Sequence, residues 1–132
     1  MPAVLDTHAA IWYLLDTQNL SQKVFSMIDA ASATGVPTYI SAVSLVEVVY
    51  LVERGRIAGD AFDRFAHELS RDTPAFRVFP LDYNIASALR SVPRDIVPDM
   101  PDRIIAATAL HLALPLVTRD RRLQAAGIQT IW

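Results

Sequence analysis

A chain of 132 residues, 52% hydrophobic with a mean hydropathy of +0.27, is long and apolar enough for one globular domain with its own core, which excludes a disordered chain. It has no cysteine, so disulfides, zinc–thiolate centres and cysteine nucleophiles are excluded and nothing points to an oxidising compartment. The net charge of -2 argues against a general nucleic-acid coat; yet eleven of the twelve basic residues are arginine, the better fork for phosphate, and only Lys23 is lysine, a bias that also fits a lineage preference.

The opening MPAVLDTHAAIW carries Asp6 and His8 and no basic run, so it does not read as a signal peptide. Residues 2–5 form a strand candidate, and Asp6 stands at its carboxyl end. A short helix is expected over Ala9 to Leu15, and another over Ser21 to Ala33 with Ser21 as N-cap. The longest uncharged run, Ala30 to Val46, is broken by Gly35, Pro37 and several hydroxyl residues, so it is no membrane span, and a cytoplasmic protein is expected. Within that run PTYI (37–40) is a second strand, and Ser41 caps a helix to about Glu53, with Gly55 near its end. A helix over Gly59 to Ser70 is expected to bury Phe62, Phe65, Ala66 and Leu69.

FRVF (76–79) is a third strand, followed by a helix from Asp82 or Tyr83 to Ser91 and a Pro- and Asp-rich loop to Pro101. The next helix runs from Pro101, at the favoured first position, to Ala113. LPLVT (114–118) is a fourth strand, residues 120–126 a short helix, and IQTIW (128–132) an edge strand. This alternation predicts a single α/β domain over 1–132, a three-layer sandwich with a central parallel sheet.

Four carboxylates fall where such a sheet binds ligands. Asp6 ends the first strand, Asp120 follows the fourth, and Asp102 lies in the first turn of the helix that Pro101 opens. Each also reads as a helix-capping or dipole-compensating residue, and Asp99 either as a turn residue or as a supporting residue of the site. Glu47 sits in SAVSLVEVVYLVERG, a helix apolar on nearly all sides and so expected to be buried, with no Lys or Arg within a turn; the alternative is a Glu at the solvent seam of that helix. Carboxylates about 4 Å apart repel by about 4 kcal/mol per pair at an effective dielectric of about 20, and a hard cation relieves that. Mg²⁺ and Mn²⁺ take oxygen ligands, and hydrolysis of a phosphodiester is the natural chemistry. There is no Gly-rich phosphate loop of the Walker type. Thr7 and Thr118 either hydrogen-bond a ligand carboxylate or cap helices. His8 reads as a packing or solvent-edge residue rather than a general acid–base. Trp12, Tyr13 and Tyr50 read as core or dimer packing, with stacking on bases as the alternative.

The stretches LDTHAAIW, ISAVSLVEV, PDMPDRIIAATAL, LPLVTRDRRL and IQTIW, together and in this order, resemble PIN-domain ribonucleases, most of all the VapC-type toxins of toxin–antitoxin pairs. The resemblance implies an acidic cluster that binds Mg²⁺ or Mn²⁺. Asp6 and Asp102 would be the metal ligands, and Glu47 and Asp120 would complete the catalytic quartet. It implies cleavage of RNA (tRNA or rRNA), a cognate antitoxin that silences the enzyme with a basic side chain, and a homodimer. Two positions depart from the pattern. A His-Arg pair common before the long helix is absent at Val97-Pro98, which leaves Arg94, Arg103, Arg119, Arg121 and Arg122 as candidates to grip RNA, and Val46 stands where an aromatic is common. Two rivals remain at this point. One is a catalytically silent binding module. The other is an aspartate-nucleophile phosphatase, for which a second Asp is usual at the position that His8 occupies.

Overall fold

The computed structural model describes residues 1–132. Five short strands form one parallel sheet in the order β3-β2-β1-β4-β5: β1 (Ala3–Leu5), β2 (Thr38–Ser41), β3 (Arg77–Phe79), β4 (Leu116–Val117) and β5 (Thr130–Ile131). Central β1 pairs on one side with β2 (Val4 beside Tyr39) and on the other with β4 (Val4 beside Leu116). From β1 the chain steps outward to β2 and β3, then crosses to β4 on the opposite side. The order therefore reverses between β1 and β4, and the crevice outside their carboxyl ends is where an open parallel sheet binds ligands.

Alternation along the strands separates two cores. Ala3, Leu5 and Val117 face one core, which contains Ile11, Val24, Ile28, Phe65 and Phe76 from α1 (Thr7–Leu15), α2 (Gln22–Thr34), α4 (Ala61–Leu69) and the approach to β3. Val4 and Leu116 face the other, with Ile85, Ile105 and Leu123 of α5 (Tyr83–Ala88), α6 (Met100–Leu112) and α7 (Arg121–Gln124). The helix α3 (Ala42–Glu53) touches both, through Val48 and Val43. Each fully buried Leu, Ile or Phe contributes about 1.5–3 kcal/mol, so a strand of three residues persists because both of its faces are covered. No helix is long and apolar enough to cross a membrane.

The sandwich has the layers and edge strand that the sequence predicts; β4, β5, α5 and α7 are shorter than expected, and four further local features differ. Helix α1 begins at Thr7, two residues early, because the Asp6 carboxylate caps it. Helix α6 begins at Met100 with Asp99 as its N-cap, so Pro101 occupies the second position and Asp99 is a cap rather than a turn residue. Helix α4 buries Ala61, Phe65 and Glu68 and leaves Phe62 and Ala66 exposed. The cause is Glu68, whose carboxylate accepts the Ala75 N–H at 2.9 Å and pairs with Arg71, pinning the link to β3 against the helix. Nor is α3 buried all round: it buries Val43, Ser44 and Val48 and packs Leu45, Leu51 and Val52 at the core's edge, while Val46 and Tyr50 are 53% and 56% exposed.

Candidate active site

At the carboxyl edge of β1 and β4 lies a cleft of about 470 Å³. It gathers five carboxylates, those of Asp6, Glu47, Asp99, Asp102 and Asp120, along with Thr7, His8, Trp12 and Arg119. The four acids singled out in the sequence thus meet in one place, and Asp99, named there as a supporting residue, joins them.

Each acid is placed by a local rule. Asp6, Asp99 and Asp120 are the N-caps of α1, α6 and α7. One oxygen of Asp6 accepts the Ala9 N–H at 2.8 Å, one of Asp120 accepts the Arg122 N–H at 2.8 Å, and Asp99 accepts the Asp102 N–H at 3.2 Å. Asx side chains satisfy the free N–H groups of a first turn, and the helix dipole favours their negative charge. Asp102 lies in the first turn of α6 behind that cap. Glu47 projects from α3, and Thr7 donates its hydroxyl to Glu47 Oε1. That hydroxyl has only one proton to give, so the Ser44 hydroxyl, 2.8 Å away, donates to Thr7 Oγ1. Ser44 was missed in the sequence, although it stands one turn before Glu47. Thr118 links the two central strands: it donates to Asp6 Oδ2 at 2.6 Å and accepts the Asp120 N–H at 3.0 Å.

The crowding raises three carboxyls above their ordinary range. Burial does most to raise Asp6, and nearby Asp120 adds to it, against the Thr118 and Ala9 hydrogen bonds that lower it. Burial also raises Glu47, with Asp99 and Asp6 adding and the Thr7 hydrogen bond opposing. Asp102 is pushed up to about 7, first by burial, then by Asp99, Asp120, Glu47 and Asp6 in turn. His8 lowers Asp6 and Glu47 somewhat through its charge, but no ion pair reaches the cleft, since the chain's one salt bridge joins Arg71 to Glu68 outside it.

The donor set is all oxygen apart from His8, which suits a hard cation such as Mg²⁺ or Mn²⁺. No three His, Asp or Glu side chains are grouped tightly enough to hold one ion by themselves. Among the five arginines considered for gripping a substrate, only Arg119 lines the cleft. Arg103 is turned to the protein, donating to the carbonyls of Leu89 and Val92 at 3.1 Å each. Arg94, Arg121 and Arg122 are exposed outside it. His8, read as a solvent-edge residue, is exposed and lines the cleft; Trp12, read as packing, is half-buried and lines it too.

The model of the PIN domain family matches residues 3–128. Ribonuclease VapC22 of Mycobacterium tuberculosis is 29% identical over 123 residues, covering 92% of this chain and 89% of that protein. Solved structures share the fold at lower identity. VapBC2 from Rickettsia felis, bound to a promoter DNA fragment, matches with a TM-score of 0.75 at 14% identity, covering 99% of this chain and 98% of that one. DNA-bound VapBC from Salmonella typhimurium matches with a TM-score of 0.69 at 18% identity, covering 99% and 97%.

Proposed function

The chain belongs to the PIN domain family, and from that premise we propose that it is a metal-dependent endoribonuclease, the toxin of a toxin–antitoxin pair. The observation that carries the reading is the convergence of five carboxylates on one cleft at the reversal of strand order, three of them raised toward neutrality with no base paired to them. Such a site gains most from a divalent cation. The 29% identity to a ribonuclease over nearly the whole chain supports RNA as the substrate.

Asp6 and Asp102 are the residues that would hold Mg²⁺ or Mn²⁺, with Glu47 and Asp120 completing the pocket. When bound, the cation supplies Lewis acidity and an activated water for in-line hydrolysis of a phosphodiester. The chain itself does the positioning. Thr118 fixes Asp6 against the end of β4, and Thr7, backed by Ser44, fixes Glu47. An arginine at the rim orients the RNA backbone. The neighbouring folds found in complexes named for two components support an antitoxin partner here, and a basic side chain entering the acidic cleft is the chemistry that would silence it. A homodimer and a cytoplasmic location belong to the same reading.

Incubation of antitoxin-free protein with a mixed tRNA and rRNA pool tests it, in Mg²⁺, in Mn²⁺ and in EDTA, beside Asp6→Asn. Discrete fragments that require metal and Asp6 are expected. Intact RNA in every lane, from protein shown to be folded, refutes catalysis and favours a binding module.

A further inference from the structure

Arg119 lines a cleft with five carboxylates and pairs with none of them. Its guanidinium carbon lies 4.4 Å from the ring centroid of Trp12 and 5.9 Å from that of Trp132. The two indoles meet edge to face, centroids 5.8 Å apart at 69°, so the guanidinium sits in the angle between them. The His8 ring, 5.5 Å from Trp12, extends the cluster toward Asp6. The topology builds it: α1 follows β1, Arg119 follows β4 and Trp132 follows β5, three adjacent parallel strands whose carboxyl ends share one edge.

A long flexible cation beside uncompensated carboxylates would ordinarily fold onto them. Here the indole faces hold it, through attraction to the ring quadrupole and flat stacking of a weakly hydrated guanidinium. One face of Trp12 is therefore covered, while the N–H edges of Arg119 have no partner in the chain. A covered indole face is a poor platform for a base, whereas a free planar fork is the geometry that grips a phosphate in two places.

We propose that the Trp12–Arg119–Trp132 stack is a phosphate-gripping subsite for the RNA strand, with the two indoles as positioning residues that hold the Arg119 fork at the cleft and off the acids. The proposal rests on the nuclease reading and deepens it. A chain of net charge -2 with an acidic cleft repels a polyanion, and Arg119 is the one arginine or lysine that lines the cleft, beside the imidazole of His8, and so carries the permanent positive charge placed to reverse that at the site. The guanidinium suits the role because its donors are fixed in a plane that the indoles orient. An ammonium would keep the charge and lose both the fork and the stack.

Both tryptophans of the chain lie in this cluster, so intrinsic indole emission reports on it alone. Bulk tRNA and a mixed-sequence single-stranded oligoribonucleotide are titrated in EDTA into wild type, Arg119→Lys, Trp12→Leu and Trp12→Phe, following indole emission and RNA anisotropy. Cleavage is measured separately in Mn²⁺. RNA should change wild-type emission, and Arg119→Lys and Trp12→Leu should each weaken binding about tenfold. Trp12→Phe, which keeps an aromatic face, should restore most of it, and the cleavage defect should fall on KM with kcat little changed. Arg119 is exposed, so its conservative variant tests the idea even if Trp12→Leu folds poorly. Metal-dependent cleavage by wild type with unchanged KM and affinity in Arg119→Lys overturns the subsite and leaves the nuclease reading standing. Weakened binding in the variants with no cleavage by any protein overturns the nuclease and supports the subsite. No binding of either RNA by wild type overturns the subsite.

Discussion

Asp102→Asn should make the metal-free protein more stable at pH 8 and flatten its dependence on pH. The carboxyl is pushed from 3.8 to about 7 by burial and by four acidic neighbours. Below 3.8 it is protonated in both the folded and the unfolded chain and contributes nothing. Between 3.8 and about 7 the unfolded chain releases the proton while the folded one keeps it, so stability falls as pH rises. Above about 7 both states are ionised and the penalty is constant. Moving a carboxyl over that range corresponds to about 4 kcal/mol in an unscreened site. Asp102 is only half-buried, so about 1–3 kcal/mol should survive solvent screening. Asp6 and Glu47, raised in the same direction, steepen the fall. Thermal unfolding followed by circular dichroism in EDTA from about pH 4.5 to 8.5 reads this directly, and Asp102→Asn should melt roughly 3–10 °C above wild type at the alkaline end. Proton and cation compete for the same carboxylates. Mg²⁺ or Mn²⁺ should therefore stabilise wild type more as pH is raised toward about 7, and stabilise Asp102→Asn less. A variant that melts at or below wild type at pH 8, with an unchanged pH slope, would show that Asp102 is not held against its own charge.

Two further substitutions separate structural from functional charges. Arg103→Met removes a guanidinium that donates to the Leu89 and Val92 carbonyls, and urea unfolding should show a loss of about 1–3 kcal/mol while the KM for RNA stays at the wild-type value. Glu68→Ala strands the buried Ala75 N–H and releases the half-exposed Arg71 to solvent, so a loss of about 1–3 kcal/mol is expected with specific activity retained, because Glu68 lies outside the cleft.

Local signals carried the sandwich. Ser21, Ser41 and Asp82 each precede a helix by one residue and cap it, and the short apolar runs between helices are the strands. The four acids were legible as well, because strand ends and first turns have fixed directions in a parallel fold. What sequence could not rank was side-chain direction. Arg103 follows Asp102 directly, yet its guanidinium turns inward to carbonyls of the 89–92 turn, fourteen and eleven residues back. Glu68 carries no local signal of burial and is buried, since its partner is a backbone N–H beyond the helix end. Trp12, Arg119 and Trp132 are far apart in the chain, and the order of β1, β4 and β5 is what brings them together.

Capping and metal binding looked like competing explanations for the acids at the helix starts, and the geometry removes the competition. A cap uses a lone pair of one oxygen, and a carboxylate has about four lone-pair sites to offer. Asp6 serves Ala9 with Oδ1 and Thr118 with Oδ2, and Asp120 serves Arg122 with Oδ1, while both still line the cleft. The helix N-termini that need capping also point their positive dipole ends at the site, which makes this edge a tolerable place to collect negative charge before any cation arrives. The dual role decides how mutants must be read. An Asp→Ala change at 6, 99 or 120 removes a cap worth about 0.5–2 kcal/mol together with the charge, so lost activity could be lost structure. Asparagine caps as well as aspartate and carries no charge. Loss of cleavage in Asp6→Asn and Asp120→Asn with melting temperatures maintained therefore isolates the electrostatic role. Loss in the alanine variants alone, with the asparagine variants active, would assign these residues to the scaffold and leave Glu47 and Asp102 to hold the cation.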